Sequence, residues 1–100
     1  MIYAWVESNA PGQILPGESP VISLSDRGFA YGDGLFETIR VSNGRPLFFA
    51  RHMQRLFSGL AQLGFPSLSW DASALGERCQ KVIGENEVTE GVLRLVITRG

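Results

Sequence analysis

Residues 25–40 read SDRGFAYGDGLFETIR, and the two parts of this stretch predict different structures. Residues 25–34 contain three glycines, which permit tight turns and close approach of the backbone, so an ordered connector is predicted there. Leu35 to Ser42 then predicts a strand. Alternation along that strand places Phe36, Thr38 and Arg40 on one face and Leu35, Glu37, Ile39 and Val41 on the other.

A hairpin is predicted directly after this strand. Asn43-Gly44 is the strongest local hairpin signal in the chain, because both residue types tolerate a positive φ. Arg45 to Phe49 predicts the return strand. Pro46 is expected at its start or on a sheet edge, since proline cannot donate a hydrogen bond to a neighbouring strand.

Two helices and a last strand follow. Residues 51–64 predict a helix that ends at Gly64-Phe65-Pro66, because one apolar stripe recurs at helical spacing: Met53, Leu56, Phe57, Leu60 and Leu63. Asp71 is a suitable N-cap for a second helix that ends at Gly84, with Leu75, Cys79, Val82 and Ile83 on one face. A polar connector over residues 85–91 leads to a strand over residues 92–99.

The part of the chain that precedes residue 25 is less regular. Residues 2–7 predict a strand, residues 8–20 a loop rich in proline and glycine, and residues 21–24 a short strand. The element order predicts an α+β fold, with a small antiparallel sheet and two helices packed on one side. A length of 100 residues fits a single domain.

Composition argues against several classes of protein. The chain has 9 Lys and Arg against 10 Asp and Glu, a balance that disfavours a nucleic-acid partner. No apolar run is long enough to cross a membrane, and the first residues lack the features of a signal peptide. The single cysteine excludes an internal disulfide, so a cytoplasmic location is expected. No cluster of His or Cys predicts a metal site.

Several single residues that could take part in catalysis or binding also have ordinary structural explanations. His52 lies off the apolar stripe and is expected to be solvated or to cap the helix. Cys79 is expected to be a buried core thiol. Arg51 and Arg55 lie four positions apart on one side of the helix, as solvated arginines often do. Lys81 is expected to be a solvated helix residue. These residues alone do not form a complete catalytic site.

Taken together, three segments resemble a known family. Residues 25–40, the segment His52-Met53-Gln54-Arg55-Leu56 and the segment 95–100 are similar, in order and spacing, to fold-type IV pyridoxal-phosphate enzymes, the class IV aminotransferases. This family includes branched-chain and D-amino-acid aminotransferases and 4-amino-4-deoxychorismate lyase. Within it, the segment 25–40 is most similar to the lyase. The resemblance covers nearly the whole chain.

The resemblance implies roles for five residues. Arg55 occupies the position that binds the phosphate of the pyridoxal phosphate cofactor, which suits a guanidinium. Phe36 lines the substrate pocket and Tyr31 lies near it. Arg94 and Arg99 match arginines that bind substrate carboxylates. Alternation places those two arginines on opposite faces of the last strand, unless a bulge or the strand end redirects one of them.

The resemblance also implies what residues 1–100 lack. The family lysine that bonds to the cofactor, and the acidic residue beside the pyridine nitrogen, lie in a larger C-terminal domain. Residues 1–100 therefore resemble the small N-terminal domain of these enzymes. We expect this part alone to contain no catalytic residue and to have no activity. The resemblance implies that the whole protein is a lyase. Its substrate would be a small molecule with carboxylates, and its working form a homodimer. The alternatives are a branched-chain or D-amino-acid aminotransferase and a non-catalytic dimerisation module.

Overall fold

The computed structural model describes residues 2–7, 12–19 and 22–100. Five strands and three helices occur in these ranges. In chain order they are β1 (Tyr3–Val6), β2 (Gln13–Pro16), α1 (Arg27–Tyr31), β3 (Gly34–Ser42), β4 (Arg45–Pro46), α2 (Phe49–Gln62), α3 (Ala72–Glu85) and β5 (Glu90–Thr98). No helix in the described ranges is both long and apolar enough to span a membrane.

The strands form two antiparallel sheets. β1 pairs with β2, and β3 lies between β4 and β5 in the order β4-β3-β5. In the long β3–β5 pair, Phe36 lies opposite Val96 and Thr38 opposite Arg94. Odd-numbered positions of this pair face the helices, and even-numbered positions face away from them. We call the second side, formed by residues 36, 38, 40, 92, 94 and 96, the open face.

The core lies between this sheet and the helices. Its buried apolar side chains come from β3, α2 and α3: Ile39, Val41, Met53, Leu56, Leu60, Leu75, Cys79 and Ile83. The predicted apolar faces of both helices therefore pack on the sheet, except that Leu63, just past the end of α2, is 47% exposed. The predicted fold class is confirmed. Cys79 is a buried thiol, and burial raises its pKa to about 11.

The predicted connector over residues 25–34 contains a short helix, α1. The Asp26 side chain caps it by accepting a hydrogen bond of 3.0 Å from the Phe29 N–H. Asp26 also accepts one of 2.8 Å from the Thr98 hydroxyl, which ties α1 to the end of β5. Gly28 and Gly34 allow this close packing, because a Cβ at either position would collide with Thr98 or the Ile97 carbonyl.

Three strand predictions are wrong. Within the predicted loop 8–20, Gln13–Pro16 form β2, because they find a pairing partner in β1. The predicted strand 21–24 is absent from residues 22–24, while Val21 lies outside the described residues. The predicted return strand ends at Pro46 rather than Phe49, because Phe48 adopts a left-handed conformation with a φ of 54° and starts α2 early.

Candidate functional site

Glu37 is the only buried polar or charged residue in the described part of the chain, with 4% of its surface exposed. It lies on the helix-facing side of β3, among the buried side chains Ile39 and Val41. A carboxylate in such surroundings is costly unless it is paired and hydrogen-bonded. Its partners therefore indicate what it does.

Helix α2 supplies two partners for this carboxylate. Arg55 Nε donates to Glu37 Oε1 at 3.0 Å, and Arg55 Nη2 donates to Glu37 Oε2 at 2.8 Å. His52 Nδ1 lies 3.4 Å from Oε1. The two partners are three positions apart, so they project from one side of the helix. We call Glu37, His52 and Arg55 the carboxylate cluster.

The electrostatics of the cluster favour the ion pair. The Arg55 hydrogen bonds hold the pKa of the Glu37 carboxyl below its usual range, against the opposing effect of burial, and His52 adds to this lowering. Glu37 in turn raises the pKa of Arg55. Both groups therefore stay charged at neutral pH.

The pairing occupies only one edge of the guanidinium. Nε and Nη2 contact Glu37, while Nη1 takes part in neither bond. The Arg55 side chain is 77% exposed although its carboxylate partner is buried. The edge that carries Nη1 is therefore fixed in position and accessible from solvent, as an anion-binding group should be.

The prediction for His52 is wrong, since its side chain is only 19% exposed and contacts the Glu37 carboxylate. Arg51 is exposed, as expected, and lies over the Phe48 ring at 6.0 Å. Lys81 is also exposed, which confirms its expected solvation. Sequence reasoning missed Glu37; the available signal was one acidic residue on an otherwise apolar strand face.

Arg99 lies on the helix side of the sheet, just past the end of β5. Its Nε donates to Asp33 Oδ2 at 2.9 Å, and its Nη2 donates to the Leu63 carbonyl at 2.8 Å. Its guanidinium also stacks over the Phe65 ring at 4.2 Å. Nη1 makes only a long contact of 3.5 Å with the Gly64 carbonyl. Arg99 therefore joins the end of the sheet to the end of α2.

Asp33 accepts from a second arginine at the same time. Arg27 Nε donates to Asp33 Oδ2 at 2.9 Å, so two guanidinium groups share one carboxylate oxygen. Hydrogen bonds from Arg27 and then Arg99 lower the Asp33 pKa. Arg27 also lies 5.2 Å from the ring of Tyr31, which is 74% exposed at the end of α1.

Arg94 and Phe36 come together on the open face. The Arg94 guanidinium lies 4.9 Å from the centre of the Phe36 ring, which is 60% exposed. Within the described residues Arg94 makes no ion pair, so its charge is available to a ligand. The predicted placement of Arg94 and Arg99 on opposite faces is confirmed.

The five residues singled out from the sequence therefore lie in separate places. Phe36 and Arg94 share the open face, Arg55 and Arg99 lie on the helix side, and Tyr31 is at the end of α1. An open depression of about 480 Å³ between α2 and α3, lined by Phe57, Leu60, Phe65 and Trp70 among others, includes none of the five. The concentration of charged groups identifies the site better than this depression does.

Relatives of known structure or function match most of the chain. A D-alanine aminotransferase of Listeria monocytogenes is 30% identical over 83% of the chain. A 4-amino-4-deoxychorismate lyase of Pseudomonas aeruginosa is 39% identical over 82% of it, with a TM-score of 0.68. The Escherichia coli branched-chain amino acid aminotransferase is 28% identical over 88% of it, with a TM-score of 0.79.

The cofactor expected from the sequence is that of the family. A hypothetical aminotransferase from Mycobacterium tuberculosis, solved in a PLP-bound form, is 29% identical over 89% of this chain and 32% of its own, with a TM-score of 0.74. The chain spans 28% of the length of the Listeria enzyme, 28% of the Pseudomonas lyase and 30% of the E. coli enzyme. The matched regions thus correspond to about a third of these proteins or less.

The family model named amino-transferase class IV matches residues 34–100, which include the carboxylate cluster, Arg94 and Arg99. This match covers well over half of the chain. Together with the three solved structures, it confirms the resemblance read from residues 25–40, 52–56 and 95–100. The chain belongs to the class IV aminotransferase family.

Proposed function

We propose that this chain is the cofactor-phosphate and substrate-contacting part of a pyridoxal-phosphate-dependent 4-amino-4-deoxychorismate lyase. Such an enzyme eliminates pyruvate from its substrate and leaves 4-aminobenzoate, which serves folate synthesis. The observation that carries the proposal is the fixed, accessible guanidinium edge of Arg55. The 39% identity to the Pseudomonas lyase favours this activity over others of the family.

The residues present fit the proposed cofactor. A phosphate dianion needs donors and positive charge, and the Nη1 edge of Arg55 offers both without giving up its bonds to Glu37. A guanidinium binds phosphate oxygens in a planar, directional way that an ammonium cannot reproduce. When bound, pyridoxal phosphate supplies an electron sink for the reaction. Arg55 would hold its phosphate end.

The substrate contacts are assigned to the other charged and aromatic groups. The proposed substrate carries two carboxylates, and Arg94 on the open face can pair with one of them beside the Phe36 ring. Arg99 lies on the helix side just past the end of β5, so it is proposed for the second carboxylate only where the substrate extends beyond that strand end, through Nη1, which has only one long contact. Tyr31 is proposed to border the same pocket from the end of α1. An apolar substrate such as leucine would gain no ion pair from Arg94, whereas a second carboxylate would.

Further parts of the protein belong to the proposal. Lys81 is exposed on α3, and its Nζ lies 5.7 Å from the centre of the Trp5 ring. We therefore place the lysine that bonds to the cofactor, and the acidic partner of its ring nitrogen, in a C-terminal domain. A homodimer in the cytoplasm is the proposed working form, without nucleic-acid or membrane partners.

A D-amino-acid aminotransferase is the second candidate. The D-alanine aminotransferases of Listeria monocytogenes and Bacillus licheniformis, each 30% identical to this chain, favour it. A branched-chain aminotransferase is the third, favoured by the TM-score of 0.79 with the E. coli enzyme. A non-catalytic dimerisation module would keep the fold but need neither a free guanidinium edge nor Arg94.

Side-by-side kinetics on the full-length protein test the proposal. We expect kcat/KM for release of pyruvate from 4-amino-4-deoxychorismate to exceed kcat/KM for transamination of leucine and D-alanine. A value for either amino acid about tenfold above that for the lyase substrate, a difference of about 1.4 kcal/mol in transition-state binding, would assign the protein to an aminotransferase. No turnover on any of the three would favour the dimerisation module.

A further inference from the structure

Helix α2 alone does not fix the direction in which Arg55 points. An arginine side chain on an exposed helix surface samples many rotamers, and most of them would turn the Nη1 edge away from any one ligand. In this structure both Nε and Nη2 are anchored on Glu37. The orientation of the free edge is therefore set by strand β3, through a residue that no ligand on that edge could touch.

We infer that Glu37 is a positioning residue, which holds the Arg55 guanidinium so that its Nη1 edge binds the phosphate of the cofactor. The inference rests on the proposed function, in that it takes the anion at Arg55 to be pyridoxal phosphate. It adds a role for Glu37 and for His52. Glu37 acts only through Arg55, and His52 acts only through Glu37.

Stability does not by itself account for the buried carboxylate. The other residues on this side of β3, Leu35, Ile39 and Val41, are apolar, and Leu95 lies opposite Glu37 on β5. An apolar residue at position 37 would suit this environment, because buried ion pairs are often no more stabilising than the apolar residues that can replace them. Arg55 needs no partner for its own solvation, since it is largely exposed.

The remaining contact of the carboxylate fits the same role. His52 contacts Oε1, the oxygen that also accepts from Arg55 Nε, so the carboxylate plane is held at two points along α2. Among the described residues, Arg55 and His52 are the charged or titratable groups that contact Glu37. A fixed carboxylate transmits its orientation to the guanidinium, in the way that groups behind a metal ligand orient that ligand.

Positioning and simple electrostatics predict opposite results when Glu37 loses its charge. A negative charge next to Arg55 reduces the attraction between the guanidinium and a phosphate, so its removal alone should strengthen phosphate binding. A glutamine can accept only one of the two anchoring bonds, and its NH2 group opposes the other guanidinium donor, so the guanidinium should swing away and binding should weaken. The direction of the change therefore distinguishes the two effects.

The test measures dissociation constants of pyridoxal phosphate and of pyridoxal, which lacks the phosphate, for the full-length apoenzyme. Glu37→Gln should weaken pyridoxal phosphate binding by roughly tenfold, the factor expected for the loss of hydrogen bonds to a charged group. Pyridoxal binding should change little. Glu37→Gln combined with Arg55→Ala should bind pyridoxal phosphate no more weakly than Arg55→Ala alone, because Glu37 acts through Arg55.

A matched control and a structural readout complete the experiment. Glu7→Gln removes a carboxylate that pairs with Arg78 at 3.1 Å elsewhere in the fold, and it should leave both dissociation constants unchanged. The Arg55 Nε–H resonance in NMR spectra should exchange slowly in the wild type and rapidly in Glu37→Gln. If Glu37→Gln fails to fold, Glu37→Asp replaces it. The aspartate keeps the negative charge, but its shorter side chain would hold the Arg55 guanidinium away from the phosphate and should weaken pyridoxal phosphate binding.

The outcomes separate this inference from the proposed function. Equal or tighter pyridoxal phosphate binding by Glu37→Gln, with clear loss in Arg55→Ala, overturns the positioning role and leaves the lyase proposal intact. Unchanged binding in Arg55→Ala overturns both the phosphate contact and the role of Glu37. If the dissociation constants change as expected but the wild type shows no lyase turnover, the positioning role is supported and the lyase assignment is removed.

Discussion

Glu37 Oε2 and Arg55 Nη2 lie 2.8 Å apart, and the first of these residues is 4% exposed while the second is 77% exposed. The pair therefore runs from the core to the surface. One end of it is shielded from solvent, which strengthens the hydrogen bonds, and the other end meets solvent with one guanidinium edge free. This arrangement makes the stability of the fold and the presentation of Arg55 depend on the same carboxylate.

Loss of Arg55 should weaken cofactor binding. We expect Arg55→Ala in the full-length protein to lower pyridoxal phosphate affinity by about 1.5–3 kcal/mol, the range for hydrogen bonds to charged groups. Arg51→Ala is the control on the same helix, and it should have little effect because Arg51 is exposed and lies over the Phe48 ring rather than at Glu37. Fluorescence titration of the apoenzyme measures both, and equal affinity in Arg55→Ala and the wild type would contradict the assignment.

Acid should destabilise the fold through Glu37. Its pKa is lowered in the folded state, so its ion pair stabilises the fold fully at pH values above the unfolded-state pKa of about 4.3. This contribution is lost as the pH falls through the lower, folded-state pKa. Urea unfolding followed by circular dichroism between neutral and acid pH should show a shallower loss in Glu37→Gln. A profile as steep as that of the wild type would count against this source of acid sensitivity.

Cys79 should be unreactive while the protein is folded. Burial raises its pKa to about 11, so little thiolate exists near neutral pH and reagents cannot reach it. Alkylation by iodoacetamide at pH 8, followed by mass spectrometry, should be slow in buffer and rapid in guanidinium chloride. Rapid alkylation in buffer would show that α3 detaches readily from the core.

Removal of Arg94, on β5, and of Arg99, just past its end, should affect thermal stability differently. Arg94→Ala should raise KM for a carboxylate substrate and leave the thermal midpoint unchanged, because Arg94 is exposed and makes no ion pair within the described residues. Arg99→Ala should lower the thermal midpoint as well, since Arg99 bonds to Asp33 and the Leu63 carbonyl. Differential scanning fluorimetry beside steady-state kinetics separates them; equal midpoint losses would contradict this division.

The covalent attachment of the cofactor should not involve Lys81. Borohydride reduction of the full-length protein loaded with pyridoxal phosphate, followed by peptide mapping, should place the adduct outside residues 1–100. Lys81→Arg should retain full turnover, because the side chain is exposed and lies beside the Trp5 ring. An adduct on Lys81 together with loss of turnover in Lys81→Arg would contradict the proposed C-terminal lysine.

Periodicity in the sequence predicted most of the fold. The alternation of β3 and the apolar stripes of α2 and α3 are strong patterns, because each extends over two or more repeats and one side of each element is buried. The Asp71 cap is also local, and its side chain accepts from the Ala74 N–H at 2.9 Å as predicted. Such features need no knowledge of distant residues.

Features decided by distant partners could not be predicted in this way. Strand β2 depends on β1, and nothing in the proline- and glycine-rich segment around it indicates that partner. The partnership of Glu37 with His52 and Arg55 likewise requires α2 to pack on β3. Phe48 adopts a positive φ that its residue type disfavours, so the end of the return strand had no local signal.

Neighbouring residues of β3 divide two proposed tasks, since Glu37 orients Arg55 on the helix side of the sheet and Phe36 contributes substrate contacts on the open face. Substitutions at even-numbered positions of β3 and β5 alter the open face while leaving the anchor of Arg55 untouched. A new substrate preference can therefore evolve, or be selected in the laboratory, without loss of the cofactor. A library limited to positions 36, 38, 92, 94 and 96 samples that freedom, whereas a one-residue register shift of β3 would exchange the two sides and abolish both tasks.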